Sequence, residues 1–249
     1  WLPIDKESTN NPWYIWIDVI SKFRLMEKRW STNFAKYIYI LSNPSPYFDK
    51  VAKEIFPELK YYVLPEGETW RFQHLMAPSM SNHNDGVVTP HLPMWLRHFK
   101  GSFGIPENKK PFRKIFVSRD KAHTRKLNNA RELLLALKGW ESVILEDLSI
   151  KDQVKIFSEA THVLATHGAG LVNTLWCKEK TKVIEIQDAK MVHKKVYPLL
   201  SRSLGLKHEL FVSKTLPIKH NGKKPKGVKR LNDLINFDVD IPELIRHLD

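Results

Sequence analysis

The sequence predicts an α/β protein built on parallel sheets, and two observations carry the prediction. Over the second half, short runs rich in branched and aromatic residues alternate with stretches of helical spacing. That is the order of successive βαβ units with right-handed crossovers. Of the 249 residues, 42% are hydrophobic and 11% aromatic, enough to bury one large core or two smaller ones.

In the first half, "KYIYILS" (36–42), "KYYVLP" (60–65) and "FQHLMAP" (72–78) read as short strands. Between the first two, "PYFDKVAKEIFPEL" sets Phe48, Val51 and Ile55 at helical spacing, and "PHLPMWLRHFKGSFG" begins a second helix that Gly101 ends. Near the start, "NPWYIWIDVISKFRLMEKRW" gathers Trp13, Tyr14, Trp16, Phe23 and Trp30. Packing of a small domain explains them more economically than a stacking platform for sugar rings.

The polar stretch "GIPENKKPF" (104–112), with Pro106 and Pro111, reads as a linker. It separates an N-terminal domain, residues 1–108, from a C-terminal domain, residues 109–249. The latter runs strand "KIFVSR" (114–119), helix from Asn129 to Lys138, strand "ESVILE" (141–146), helix from Ser149 to Ala160 and strand "HVLAT" (162–166). The corner "HGAG" (167–170), a helix through "LVNTLW" and a strand "KVIEI" (182–186) follow. This is a Rossmann-like domain, and the closing helix in "IPELIRHL" is free to pack back on the first domain.

Forty Lys and Arg against 27 Asp and Glu leave a formal charge of +13, which favours an anionic partner. Seven of those cations lie in "KTLPIKHNGKKPKGVKR" (214–230), which has no acid. Its Pro and Gly content reads as a solvated loop. Without interleaved aromatics or a reading module it argues against nucleic acid, leaving peripheral contact with an anionic membrane as its alternative use. The single Cys177 excludes an internal disulfide, and there is no N-terminal leader pattern or Asn-x-Ser/Thr acceptor. As it stands the chain reads as cytoplasmic, a removed N-terminal anchor or signal aside.

The corner lies between the carboxyl end of a strand and the first turn of a helix, where open parallel sheets bind ligands and helix N–H groups favour anions. Gly168 and Gly170 would give a phosphate clearance to the backbone and admit dihedrals closed to other residues. A tight turn that needs glycine for geometry alone is the competing explanation.

The stretch "KIFVSRDKAHTRKLNN … LEDLSIKDQVKIFSEATHVLATHGAGLVNTLWCKEKTKVIEIQ" closely resembles the signature region of glycosyltransferase family 61. The shared features are a strand ending in Ser-Arg, a following Arg and Asn, Glu-Asp-Leu-Ser before a helix with Gln, the His-Gly-Ala-Gly-Leu-x-Asn corner and a Val-Ile-Glu-Ile strand. In the first half the similarity is loose, through "RFQHLMAPS" and "WLRHF". The resemblance implies a GT-B fold, two Rossmann-like domains facing across a cleft. It also implies inversion at the anomeric carbon and a UDP-sugar donor, UDP-xylose or UDP-N-acetylglucosamine, with xylose favoured, and an oligosaccharide or glycoprotein glycan as acceptor.

Transfer from a nucleoside diphosphate needs cations and N–H dipoles on the leaving group. Arg119 reaches the rim of the corner and suits the diphosphate, with Arg125 beside it in the same pattern. Asn129 matches too but would equally cap the next helix. His167, Gly168, Ala169, Gly170 and Asn173 line or face the corner; for His167 and Asn173, structural bonding within the turn is the alternative. Glu185, in a buried strand, needs hydrogen-bond partners, which ribose hydroxyls or a neighbouring loop would supply.

The base that deprotonates the acceptor is expected from the loop "PSMSNHNDGVVTPH" of the first domain, Asp85 or His83 first and His91 after them, with Glu66 and Glu68 as outside candidates. "Asn-Asp-Gly" is equally a turn signal. No metal is expected to be required: "DVD" (238–240) superficially resembles a divalent-ion motif, but it follows the Rossmann-like domain and leaves Asp240 to cap a helix. A basic nucleotide- or nucleic-acid-binding protein without transferase activity is the alternative function.

Overall fold

The structure, a computed structural model, describes residues 11–23, 26, 34–41, 44–76, 95–96, 104–106, 109–189, 195–213 and 236–248. His83, Asp85 and His91, Trp30, the basic run 214–230 and nearly all of the second helix expected in the first half lie outside them. The chain divides into two compact units, Trp1–Ile105 and Pro106–Asp249. The division falls slightly before the boundary read from the linker, and the linker's end is tied to the second unit. There, Phe112 and Arg113 both donate their backbone N–H to the Glu159 carbonyl, at 2.8 and 2.9 Å.

The first unit opens with helix α1, Pro12–Tyr14, which Asn11 caps through Trp13 N and which runs on as the wider-turned helix Ile15–Ile20. Strand β1 (Ile38–Leu41), helix α2 (Pro46–Ile55) and β2 (Lys60–Val63) form one parallel βαβ unit, with Ile38 opposite Lys60. Helix α2 starts where Ser45 accepts from Phe48 N and Pro46 presets the first turn, and it buries Phe48, Val51, Ala52 and Ile55. Each of the three larger side chains contributes roughly 1.5–3 kcal/mol of burial. Of the early aromatics, Trp13, Trp16 and Phe23 pack as expected while Tyr14 is exposed, and the Phe23 ring lies 4.6 Å from Tyr39 and 5.7 Å from Phe56. The strand expected at 72–78 does not form over its described part, 72–76. Phe72, Leu75 and Met76 are half exposed there, and a strand with neither a ladder nor a buried face gains little.

The second unit runs β3 (Arg113–Val117), α3 (Ala130–Ala136), β4 (Glu141–Val143), α4 (Ile150–Ser158), β5 (Ala160–Thr166) and a 3-10 helix (Ala169–Trp176). It continues through β6 (Lys182–Asp188), α5 (Val196–Ser203), β7 (Lys207–Ser213) and α6 (Ile241–Leu248). All five strands are parallel, in the order β4-β3-β5-β6-β7. The helix expected at "LVNTLW" is thus a 3-10 helix, and α5 and β7 extend the unit beyond the elements read from sequence.

Register divides the sheet's side chains between two faces. Phe116, Leu164, Ile184, Ile186 and Phe211 form a core with Leu133 of α3, Leu137 just after that helix and Leu244 of α6. On the opposite face lie Val117, Ala165, Glu185 and Gln187, under the 3-10 helix, and α4 and α5 pack against that helix. The closing helix therefore belongs to the second unit's own core. Asp240 caps it as expected, accepting from Glu243 N at 2.8 Å. Among the described residues no helix is long and apolar enough to cross a membrane.

Candidate functional site

From β3 the chain moves first to β4 on one side and then across to β5 on the other. The carboxyl ends of β3 and β5 therefore flank the point where strand order reverses, the place where an open parallel sheet leaves a crevice for ligands. Arg119 follows β3 and His167 follows β5, so both expected residues come to that crevice.

Arg119 is held by its own loop: Nε and Nη2 donate to the Thr124 carbonyl at 3.1 and 2.9 Å. Its third nitrogen lies over the corner, where a Cβ built on Gly168 would stand 2.1 Å from Nη1. Glycine is required here for clearance and not for dihedrals, since φ of Gly168 is 173°, ordinary extended backbone. Gly170 is likewise a packing glycine, with a Cβ there standing 2.8 Å from Leu145 Cδ1 and 3.6 Å from Val117 Cγ1. The backbone at neither glycine is left-handed, which corrects the dihedral argument. The space beside Gly168 is filled by a guanidinium.

Arg125 occupies the same loop at φ 58°, a left-handed conformation uncommon for a side chain of its size, and its carbonyl accepts from Thr166 Oγ1 at 3.3 Å. Burial, followed by repulsion from Arg125, lowers the Arg119 guanidinium to about 10, against opposing attraction from Tyr197 and Glu146. Two cations crowded into a partly desolvated crevice favour an anion.

Behind the corner lies a polar network the sequence reading only half foresaw. Glu185 is fully buried, and its Oε1 accepts from His167 Nδ1 and from Gln187 Nε2, the latter at 2.8 Å. His208 Nε2 of β7 stands 3.1 Å from Oε2, within ion-pair reach but poorly aligned for a hydrogen bond. Burial alone would raise the Glu185 carboxyl; the approaches of His167, His208 and Gln187 outweigh it and hold the group below its ordinary value. Its partners are thus neighbouring strands and the corner itself.

Tyr197, in the first turn of α5, donates to the Gly168 carbonyl at 2.5 Å and sets its ring edge-on to His167, centroids 5.2 Å apart. The sequence reading missed Tyr197 and His208 because both come from elements it did not place. Asn173 bonds to Gln153 Oε1 and to the Gly170 carbonyl, each at 3.2 Å, pinning the 3-10 helix to α4. Asn129 sits at the N-cap position of α3, but its side chain makes no capping bond; it clamps the backbone of Val239, donating to its carbonyl at 2.8 Å and accepting from its N–H at 3.1 Å. Ala169 begins the 3-10 helix.

In the first unit, Glu66 and Glu68 fall on an exposed turn after β2, where Glu68 accepts from Trp70 Nε1 at 2.7 Å. A cavity of about 560 Å3 beside β1 is lined by rings, among them Tyr37, Tyr39, Tyr62, Trp70 and Phe72, with His74. Among the described residues no group of three or more His, Cys, Asp or Glu is arranged to hold a metal ion.

The family model for glycosyltransferase 61 matches residues 15–184, from the first unit into β6. The chain belongs to glycosyltransferase family 61. Among curated proteins it is similar to a beta-1,2-xylosyltransferase of Oryza sativa subsp. japonica, 24% identical over 91% of this chain and 45% of the relative. It is also similar to a protein O-linked-mannose beta-1,4-N-acetylglucosaminyltransferase 2 of Xenopus tropicalis, 27% identical over 68% of this chain and 31% of the relative. This family member thus spans less than half the length of the curated relatives it matches.

Proposed function

We propose that this family 61 chain moves a sugar from a UDP-sugar to a hydroxyl of an oligosaccharide or glycoprotein glycan, with inversion at the anomeric carbon. The observation that carries the reading is the pair Arg119 and Arg125 at the strand-order reversal, with Arg119 laid across Gly168. As the bond from the anomeric carbon to the diphosphate breaks, negative charge grows on the leaving oxygen. Two guanidiniums and the first turn of the 3-10 helix are the groups that oppose it there. Because protein cations supply that charge, the reaction is expected to proceed without a divalent metal.

Inversion takes one in-line displacement: the acceptor oxygen attacks, a base takes its proton, and UDP leaves. We place the base in the first unit, with Asp85 or His83 first and His91 after them, in a GT-B arrangement of two Rossmann-like units. The ring-lined cavity beside β1 suits the apolar faces of an acceptor sugar. Between donors UDP-xylose is preferred to UDP-N-acetylglucosamine; the names of the two relatives supply one precedent each.

The test is a panel of UDP-sugars scored for hydrolysis, transfer and a melting shift. UDP-dependent stabilisation with turnover of one donor, retained in EDTA, is expected. No hydrolysis, no transfer and no shift would overturn the reading in favour of a binding protein without transferase activity.

A further inference from the structure

The buried cluster behind the corner holds one carboxylate and two imidazoles. His167 precedes Gly168 and donates through Nδ1 to Glu185 Oε1, while His208 Nε2 approaches the other oxygen at 3.1 Å. All three side chains are nearly closed to solvent, with exposures of 7%, 0% and 9%. A fully buried carboxylate stays charged only if a countercharge accompanies it, and here both candidates are titratable. One proton on either imidazole balances the cluster; a second makes it cationic. Other titratable groups nearby are Tyr197 from α5 and Arg119 from the end of β3, with Arg125 beyond it. The 3-10 helix and α4, on the same face, bring Asn173 and Gln153, which carry no charge.

We infer that His167, Glu185 and His208 share protons as one unit, and that His167 is the member that brings positive charge to the diphosphate of a bound nucleotide. Glu185 and His208 are then positioning residues, acting on the ligand through His167. The inference rests on the nucleotide reading of the corner. Of the two sources of partners expected for Glu185, ribose hydroxyls or neighbouring protein, the protein supplies those of Oε1, with the His208 imidazole 3.1 Å from Oε2. The pairing also fixes His167 in orientation: a carboxylate on Nδ1 commits that nitrogen to donating and leaves the Nε2 edge to carry the chemistry. His208 tunes how tightly that proton is held, because it competes for the same negative charge.

The first test uses the protein without ligand. NMR titration of the His167 imidazole should give a curve with two inflections, because its proton belongs to the pair. In His208→Gln the His167 midpoint should rise, on the order of one pH unit, since Glu185 then serves one imidazole. A single-step His167 curve, or an unmoved His167 midpoint in a folded variant, would overturn the shared proton. The wild-type curve decides the matter even if the variant does not fold.

The second test is calorimetry of UDP binding between about pH 5 and 8 in buffers of different ionisation enthalpy. Proton uptake is expected, with affinity falling up to about tenfold per pH unit above the His167 midpoint, and His208→Gln should move that fall to higher pH. Binding without proton uptake or pH dependence would remove His167 from the ligand while leaving the nucleotide reading intact. No UDP binding at any pH would remove that reading and the ligand half of the inference together, with the shared proton still decided by NMR.

Discussion

Arg119 lies where the Cβ of any residue other than glycine at position 168 would have to be, 2.1 Å from its Nη1. The end of an arginine side chain can swing away, so Gly168→Ala is expected to fold and to expel the guanidinium. UDP affinity should fall by about tenfold to a hundredfold, the loss of a charge-assisted contact. Arg119→Ala should lose the same amount, and the double variant no more, because both changes remove one interaction. Calorimetry on the three variants checks this; additive losses would show that Gly168 acts by another route.

Arg125 presents a trade. At φ 58° it holds a conformation that costs a side-chain residue about 1 kcal/mol and glycine almost nothing. Arg125→Gly should therefore raise thermal stability relative to Arg125→Ala while both lose nucleotide affinity. Equal melting temperatures for the two variants would contradict the strain.

Asn129 binds both polar groups of the Val239 backbone. Asn129→Ala removes two hydrogen bonds, worth about 0.5–1.5 kcal/mol each. Hydrogen exchange should accelerate over 236–248 and stay slow in β5 and β6, where the ladder is unaffected.

Acid stability follows from two carboxylates held below their ordinary values. Besides Glu185, burial works against the Glu159 carboxylate, but Lys109 and Arg113 more than offset it, at 2.6 and 2.7 Å. A depressed carboxyl contributes its full stabilisation above its unfolded value, near 4.3, and loses it as pH falls through the folded value. Denaturant midpoints should thus hold from about pH 7 to 5 and drop below about 4. Glu159→Gln should lower the midpoint at neutral pH and flatten that drop.

Much of the second unit was legible because its strands carry period and branching that few other patterns share. "KIFV" and "HVLAT" could hardly be anything else, and Ser149 and Asp240 announce helix starts that the structure uses. Strand β7 was harder: "KHELFVS" sets His208 and Glu209 among its apolar residues, and its histidine is there to meet Glu185. That Glu185 required partners was evident from its place in a buried strand, but which partners depended on a strand order no local pattern reveals. The glycines of the corner were recognised as special for a reason that geometry then revised, since their neighbours are side chains distant in sequence. In the first half, "FQHLMAP" has the composition of a strand, and composition is not a ladder.

The bond from Tyr197 to the Gly168 carbonyl also sets an order of assembly. The corner and Arg119 are in place along the chain by residue 170, yet the hydroxyl that holds the turn and the second imidazole beside Glu185 arrive only with α5 and β7. A nascent chain arrested just after Asp188 would carry the whole His-Gly-Ala-Gly sequence without the two side chains that secure it.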